Sequence, residues 1–98
     1  MNRRFHPEFE SDLISAAVYY EKQRQGLGAE LIDEVESAIE TIGAAPERWP
    51  VRVGGVRRFL VPRFPYVIRY RLATADATIQ FLSVLHGSRD PHTGRERE

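Results

Sequence analysis

Two apolar stripes at helical spacing lie end to end in the first half of the chain, joined by Gly26-Leu27-Gly28. Phe9, Leu13, Ala16, Ala17 and Tyr20 fall on one side of a helix. Pro7 suits its first position, and Glu8 and Glu10 suit its first turn. This helix is expected to fade near Gln25, because the glycines at 26 and 28 permit left-handed backbone. A second begins close to Gly28, with Leu31, Val35, Ala38, Ile39 and Ile42 as its stripe. Glu30, Asp33, Glu34, Glu36 and Glu40 take its solvated side, and Gly43 and Pro46 close it. The pair reads as an antiparallel hairpin, and neither stripe can be buried without a third layer.

The second half supplies that layer. After an extended start at residues 2–6 anchored by Phe5 come the two helices, then a loop over 46–56 with turn residues at both ends. Arg57–Val61 is a strand candidate stopped by Pro62 and Pro65. From Tyr66 to Ala73 the chain alternates, with Tyr66, Ile68, Tyr70 and Leu72 on one side and Val67, Arg69 and Arg71 on the other. Thr74-Ala75-Asp76 is a tight connection, and Ala77–His86, apolar on both faces, reads as a central strand. The expected fold class is α+β in the order β-α-α-β-β-β. The helical hairpin covers one face of a small antiparallel sheet, and the other face is open. Leu13, Leu31, Val35, Ile39, Ile68, Tyr70 and Phe81 are the expected core. With 98 residues the chain makes one domain over 1–98, with a flexible polar tail from about residue 90.

The absence of Cys excludes a disulfide scaffold, a thiolate zinc site and a cysteine nucleophile together. No apolar run approaches the roughly 20 residues of a membrane span. The N-terminus shows no signal peptide, so a cytoplasmic location is expected.

A formal net charge of zero conceals a split: residues 1–47 carry −6 and residues 48–98 carry +6. Thirteen of the fourteen basic residues are arginine, whose planar fork suits carboxylate or phosphate. Arg57, Arg58, Arg63, Arg69, Arg71 and Arg89 are therefore the candidate target-binding residues. The open face is expected to show Arg69 and Arg71 beside Arg58 or Arg57. Without interleaved exposed aromatics, such a face does not suit base stacking; phosphate contacts or an acidic peptide suit it equally.

His86 ends the last strand and is followed by Gly-Ser-Arg-Asp-Pro. It reads either as a general acid or base or as a histidine that merely terminates the strand. His6 and His92 share no metal-ligand spacing with it, and neither a metal site nor any other cofactor is expected. No Gly-x-Ser-x-Gly elbow surrounds Ser83 or Ser88. Gly54-Gly55 lacks the Lys and following helix of a phosphate loop.

Six blocks, in order, carry a family likeness: Tyr19-Tyr20-Glu21; Gly26-Leu-Gly28 opening an acidic helix; Pro46-Glu-Arg-Trp-Pro50; Gly55-Val-Arg-Arg58; Arg63-Phe-Pro-Tyr66-Val-Ile-Arg-Tyr70; and Val84-Leu-His-Gly-Ser-Arg-Asp-Pro91. Together they resemble the RelE/ParE toxin superfamily of bacterial type II toxin–antitoxin systems over nearly the whole chain. The resemblance implies plasmid stabilisation and a cognate antitoxin partner, with Tyr19, Leu27 and Ile32 as candidate antitoxin contacts. It implies no direct sequence-specific DNA binding by the toxin itself. Two activities divide the superfamily. RelE-like members cut messenger RNA on the ribosome; ParE-like members inhibit DNA gyrase. The ribonucleases of the superfamily carry basic residues where this chain has Leu60 and Val67, and use a C-terminal Tyr or His as acid or base; this tail has no Tyr, and only His86 or His92 could substitute. Arg58, His86 and Arg89 are what remains for a nuclease. The ParE-like branch is the closer one, with a RelE-like nuclease or an inactive binding module of the same fold as alternatives.

Overall fold

A computed structural model describes residues 1–89. The order is β1 (Asn2–Phe5), α1 (Pro7–Gln23), α2 (Leu27–Ala44), β2 (Val56–Leu60), β3 (Tyr66–Ala73) and β4 (Thr78–His86). This is the expected α+β order. The expected tail, with His92, lies outside the described residues.

Helix α1 begins as its sequence dictates. Pro7 follows the N-cap His6, whose ring accepts the Glu8 amide at 3.0 Å. The turn to α2 runs through Gly26 at φ +89°, a left-handed conformation that glycine adopts without steric penalty. Glu21 then spans the hairpin: its carboxylate accepts the Gly26 amide at 2.9 Å and the Gly28 amide at 3.0 Å. Two orphan donors at the start of α2 are thus satisfied from α1. A Cβ on Gly28 would sit 2.5 Å from the Ala17 carbonyl oxygen, so the helices cross at backbone contact there.

The sheet order is β1-β4-β3-β2. Strands β2, β3 and β4 form the expected antiparallel meander, and β4 is central as its two-sided apolarity requires. The sheet as a whole is mixed, not purely antiparallel, because β1 pairs parallel to β4 from Asn2↔Thr78 to Phe5↔Phe81. The long crossover through both helices is what permits a parallel neighbour.

The register of β4 shifts by one residue against β3 between the pairs Arg69↔Ser83 and Tyr70↔Phe81. This bulge on β4 lets Ile79 and Phe81 before it, and Val84 after it, all enter the same core. Leu31, Val35, Ile39, Ile68, Tyr70 and Phe81 are buried in that core as expected; Leu13 is only half-buried and packs against its edge. Phe5, Phe9 and Phe81 pack at 4.9–5.9 Å between centroids and tie β1 and α1 to β4.

Candidate functional site

The six candidate arginines do not form one patch. Arg58 and Arg69 are cross-strand partners on the sheet face away from the helices, as the alternation of β3 predicts. Arg69 is nevertheless only 1% exposed, which corrects the expectation of an open, solvated guanidinium. Its strand is flanked on both sides, and its Nη1 donates to Ser83 Oγ at 3.3 Å from the neighbouring strand. Arg71 lies on the same face and donates from Nε to the Gly54 carbonyl at 3.0 Å.

Arg57 takes the other face. It points to the loop after α2, where its Nη1 donates to the carbonyls of Glu47 and Trp49. The same loop accepts the Tyr70 hydroxyl at the Pro46 carbonyl, 2.8 Å away. Burial pushes the Tyr70 phenol up to about 12, and the nearby Arg57 charge only partly offsets this. Arg57 is therefore a strap for the loop.

Arg63 holds the turn between β2 and β3 at φ +72°. Its guanidinium donates to Glu34 at 2.8 Å and to Glu30 at 2.6 Å, both on α2. The hydrogen bond from Arg63, then that from Arg24, holds the Glu30 carboxyl below the usual carboxylate range.

His86 and Arg89 stand apart from all of these. They line a cleft of about 570 Å³ between α1 and the end of β4, with Asp12, Tyr19, Tyr20 and Tyr66. Its wall is a ladder of rings set edge to face. Tyr19 meets Tyr20 at 5.1 Å, Tyr20 meets Tyr66 at 6.0 Å, and Tyr66 meets His86 at 5.6 Å. Tyr20 and Tyr66 are pushed up, mainly by burial. Asp12 accepts the Val84 amide at 3.3 Å, just past the bulge. The Nδ1 of His86 accepts the Ser88 amide at 3.1 Å, with the Ser88 hydroxyl 2.9 Å away. A neutral His86 ring therefore carries its proton on Nε2.

Arg58 is on the far face of the sheet from this cleft, beside Trp49 and Leu60 at the β2 edge. Leu60 is 70% exposed, and Val67 opposite it is buried. Of the candidate partner contacts, Tyr19 is 57% exposed, on a helix that also exposes Ile14 and Val18; Leu27 and Ile32 are half-buried. The sequence reading treats Tyr20 and Tyr66 as packing residues and passes over Asp12. The three meet only through packing of α1 on β4, and no local spacing signals that. Among the described residues no three His, Asp or Glu side chains gather as a metal site would need. Among them, too, no helix is long and apolar enough to cross a membrane.

Fold and cleft define a small α+β domain: a helical hairpin on a four-stranded sheet, with an aromatic cleft at the end of the last strand. The family model described as the ParE toxin of the type II toxin–antitoxin system parDE matches residues 3–91. The chain belongs to this ParE toxin family. A chain of the chromosomal ParDE TA system from P. aeruginosa superposes with a TM-score of 0.77 at 17% identity, covering 88% of this chain and 95% of that one. A chain of the toxin–antitoxin complex RelBE2 from Mycobacterium tuberculosis gives a TM-score of 0.54 at 25% identity, covering 87% and 95%. No curated protein sequence matches significantly.

Proposed function

We propose that this chain, as a single cytoplasmic domain, stops growth by binding its target, DNA gyrase, and cuts no RNA. A cognate antitoxin neutralises it, as the complexes among its structural neighbours suggest by analogy. The observation that carries the reading is the separation of the nuclease candidates. Arg58 lies on one face of the sheet; His86 and Arg89 lie at a cleft on the other. Cleavage through a 2′-hydroxyl needs proton transfer and charge stabilisation at one phosphate, within hydrogen-bond reach. The His86 ring argues the same way. With Nδ1 accepting from Ser88 and the proton on Nε2, a neutral ring has no open lone pair for a general base. Apolar Leu60 and Val67 add no donor on the open face.

Exposed Ile14, Val18 and Tyr19 offer the antitoxin apolar surface on α1, and half-buried Leu27 and Ile32 are its candidate contacts on α2. The test is expression of wild type and His86→Ala with transcripts mapped. General acid–base groups contribute about 10²–10⁴-fold, so a nuclease would lose its toxicity with His86. The expected result is growth arrest by both proteins and no specific cuts. Loss of arrest in the variant, with specific cuts by wild type, overturns the reading in favour of a RelE-like nuclease.

A further inference from the structure

Exposed apolar side chains gather in two places away from the start of the chain. Ile14, Val18 and Tyr19 lie on α1; Val51, Val53 and Leu60 lie on β2 and the loop before it. Val53 is 83% exposed and Val51 56%. An apolar cluster rimmed by charge marks an interaction surface, and only the α1 cluster has so far been given a partner.

Strand β2 ends the sheet on its side. The preceding loop folds back along its outer edge: Val51 bridges to Arg57, and the Arg52 amide donates to the Val56 carbonyl at 2.7 Å. The far end of the edge stays open. The Val61 amide turns inward to the Tyr66 carbonyl at 2.9 Å, so by alternation the peptide groups of Leu60 turn outward. A depression of about 370 Å³ wraps the edge at this point. Trp49 and Phe59 line it on the helix side, packed edge to face at 4.9 Å; Leu60 and Arg58 line it on the open side. An extended segment laid along such an edge sends alternate side chains to the two sides.

The charge around the edge selects the segment. Residues 47–60 carry four arginines and one acid, Glu47. Arg57 is turned inward, to the carbonyls of Glu47 and Trp49. Arg48 stacks on the Trp49 ring, 5.4 Å from its centroid, and Arg52 lines the depression. Both are exposed, and neither makes an ion pair among the described residues. A second copy of the chain would set these arginines against their own kind.

We propose that the β2 edge is the surface that meets the toxin's protein target, and that it takes an extended acidic segment of that target. Carboxylates of the segment meet Arg48 and Arg52. An apolar side chain enters the depression, and backbone bonds form at Leu60. The assignment rests on the reading above that the chain acts by binding a protein. It leaves the α1 surface to the antitoxin.

The test pairs growth arrest on expression with calorimetric titration of the full chain into purified gyrase. Leu60→Asp and Arg52→Glu should each weaken gyrase binding roughly 10-fold or more and relieve growth arrest. Both side chains are exposed, so thermal midpoints should stay at the wild-type value. Lys22→Glu, an equal charge reversal at an exposed position of α1, should change neither readout. Growth arrest by both edge variants at the wild-type level overturns the proposal, whatever the target. So does a Lys22→Glu effect as large as that of Arg52→Glu, which reduces the surface to net charge. Arrest that Arg52→Glu relieves and Leu60→Asp spares marks a polyanion such as RNA, and also overturns it. A wild type that arrests growth without binding gyrase refutes the gyrase reading alone; the edge then stands if its variants relieve arrest and falls if they do not. A harmless wild type overturns both.

Discussion

Gly28 shows how one position can set the geometry of two helices. A methyl group there meets a backbone oxygen at 2.5 Å, and backbone cannot move aside as a side-chain tip can. Gly28→Ala should therefore lower stability by about 1–3 kcal/mol, read as a lower thermal midpoint. An unchanged midpoint would mean that the helices can part freely. Tyr70 makes a pH-dependent prediction. Its folded pKa is raised, so its contribution is complete below its ordinary value near 10 and is lost as pH rises through about 12. Wild type should lose roughly 2–3 kcal/mol over that interval that Tyr70→Phe does not lose; equal alkaline slopes would refute this. At this scale the sequence is informative where periodicity speaks. Ile68, Tyr70 and Phe81 are buried as their spacing predicts. It is least informative for arginine. Nothing in residues 57–71 tells that Arg57 straps a loop, that Arg63 grips α2 or that Arg69 is covered, because each partner is distant in sequence.

The helical hairpin and the β2–β3 turn are the elements that ion pairing joins. Arg63 bridges Glu30 and Glu34, and Arg24 also reaches Glu30. The Glu30 carboxyl is depressed, so its contribution is present above the ordinary carboxylate range and is lost as pH falls through the depressed value. Acid unfolding of Arg63→Gln should begin at higher pH than in wild type at low salt, and the difference should shrink in high salt. Coincident acid transitions would show the clamp to be inert. The elements themselves were legible from two periods, 3.6 and 2, punctuated by Pro and Gly. The parallel pairing of β1 was not, because a four-residue strand without alternation carries no direction. Nor was the bulge, since Ala77–His86 is apolar on both faces and any phase fits it. The cleft at His86 joins α1, the start of β3 and the end of β4, which are distant in sequence, so its residues read singly and not as a group.

The whole molecule separates charge as its sequence does, with an acidic hairpin of helices and a basic sheet half. Its α1 leaves Ile14, Val18 and Tyr19 exposed in water. A partner that covers this strip should raise the soluble yield, so co-expression with a small adjacent reading frame should improve recovery and relieve growth arrest. A chain that is soluble and harmless when expressed alone would contradict the obligate partner. The central claim is inhibition by binding, and the most direct measurement is gyrase supercoiling by purified enzyme with this chain added, beside transcript integrity on ribosomes given the same chain. The account predicts supercoiling that falls with added toxin, recovers with antitoxin and is spared little by His86→Ala, while transcripts stay intact. Full supercoiling with transcripts cut at defined sites, the cuts abolished by His86→Ala, would contradict it.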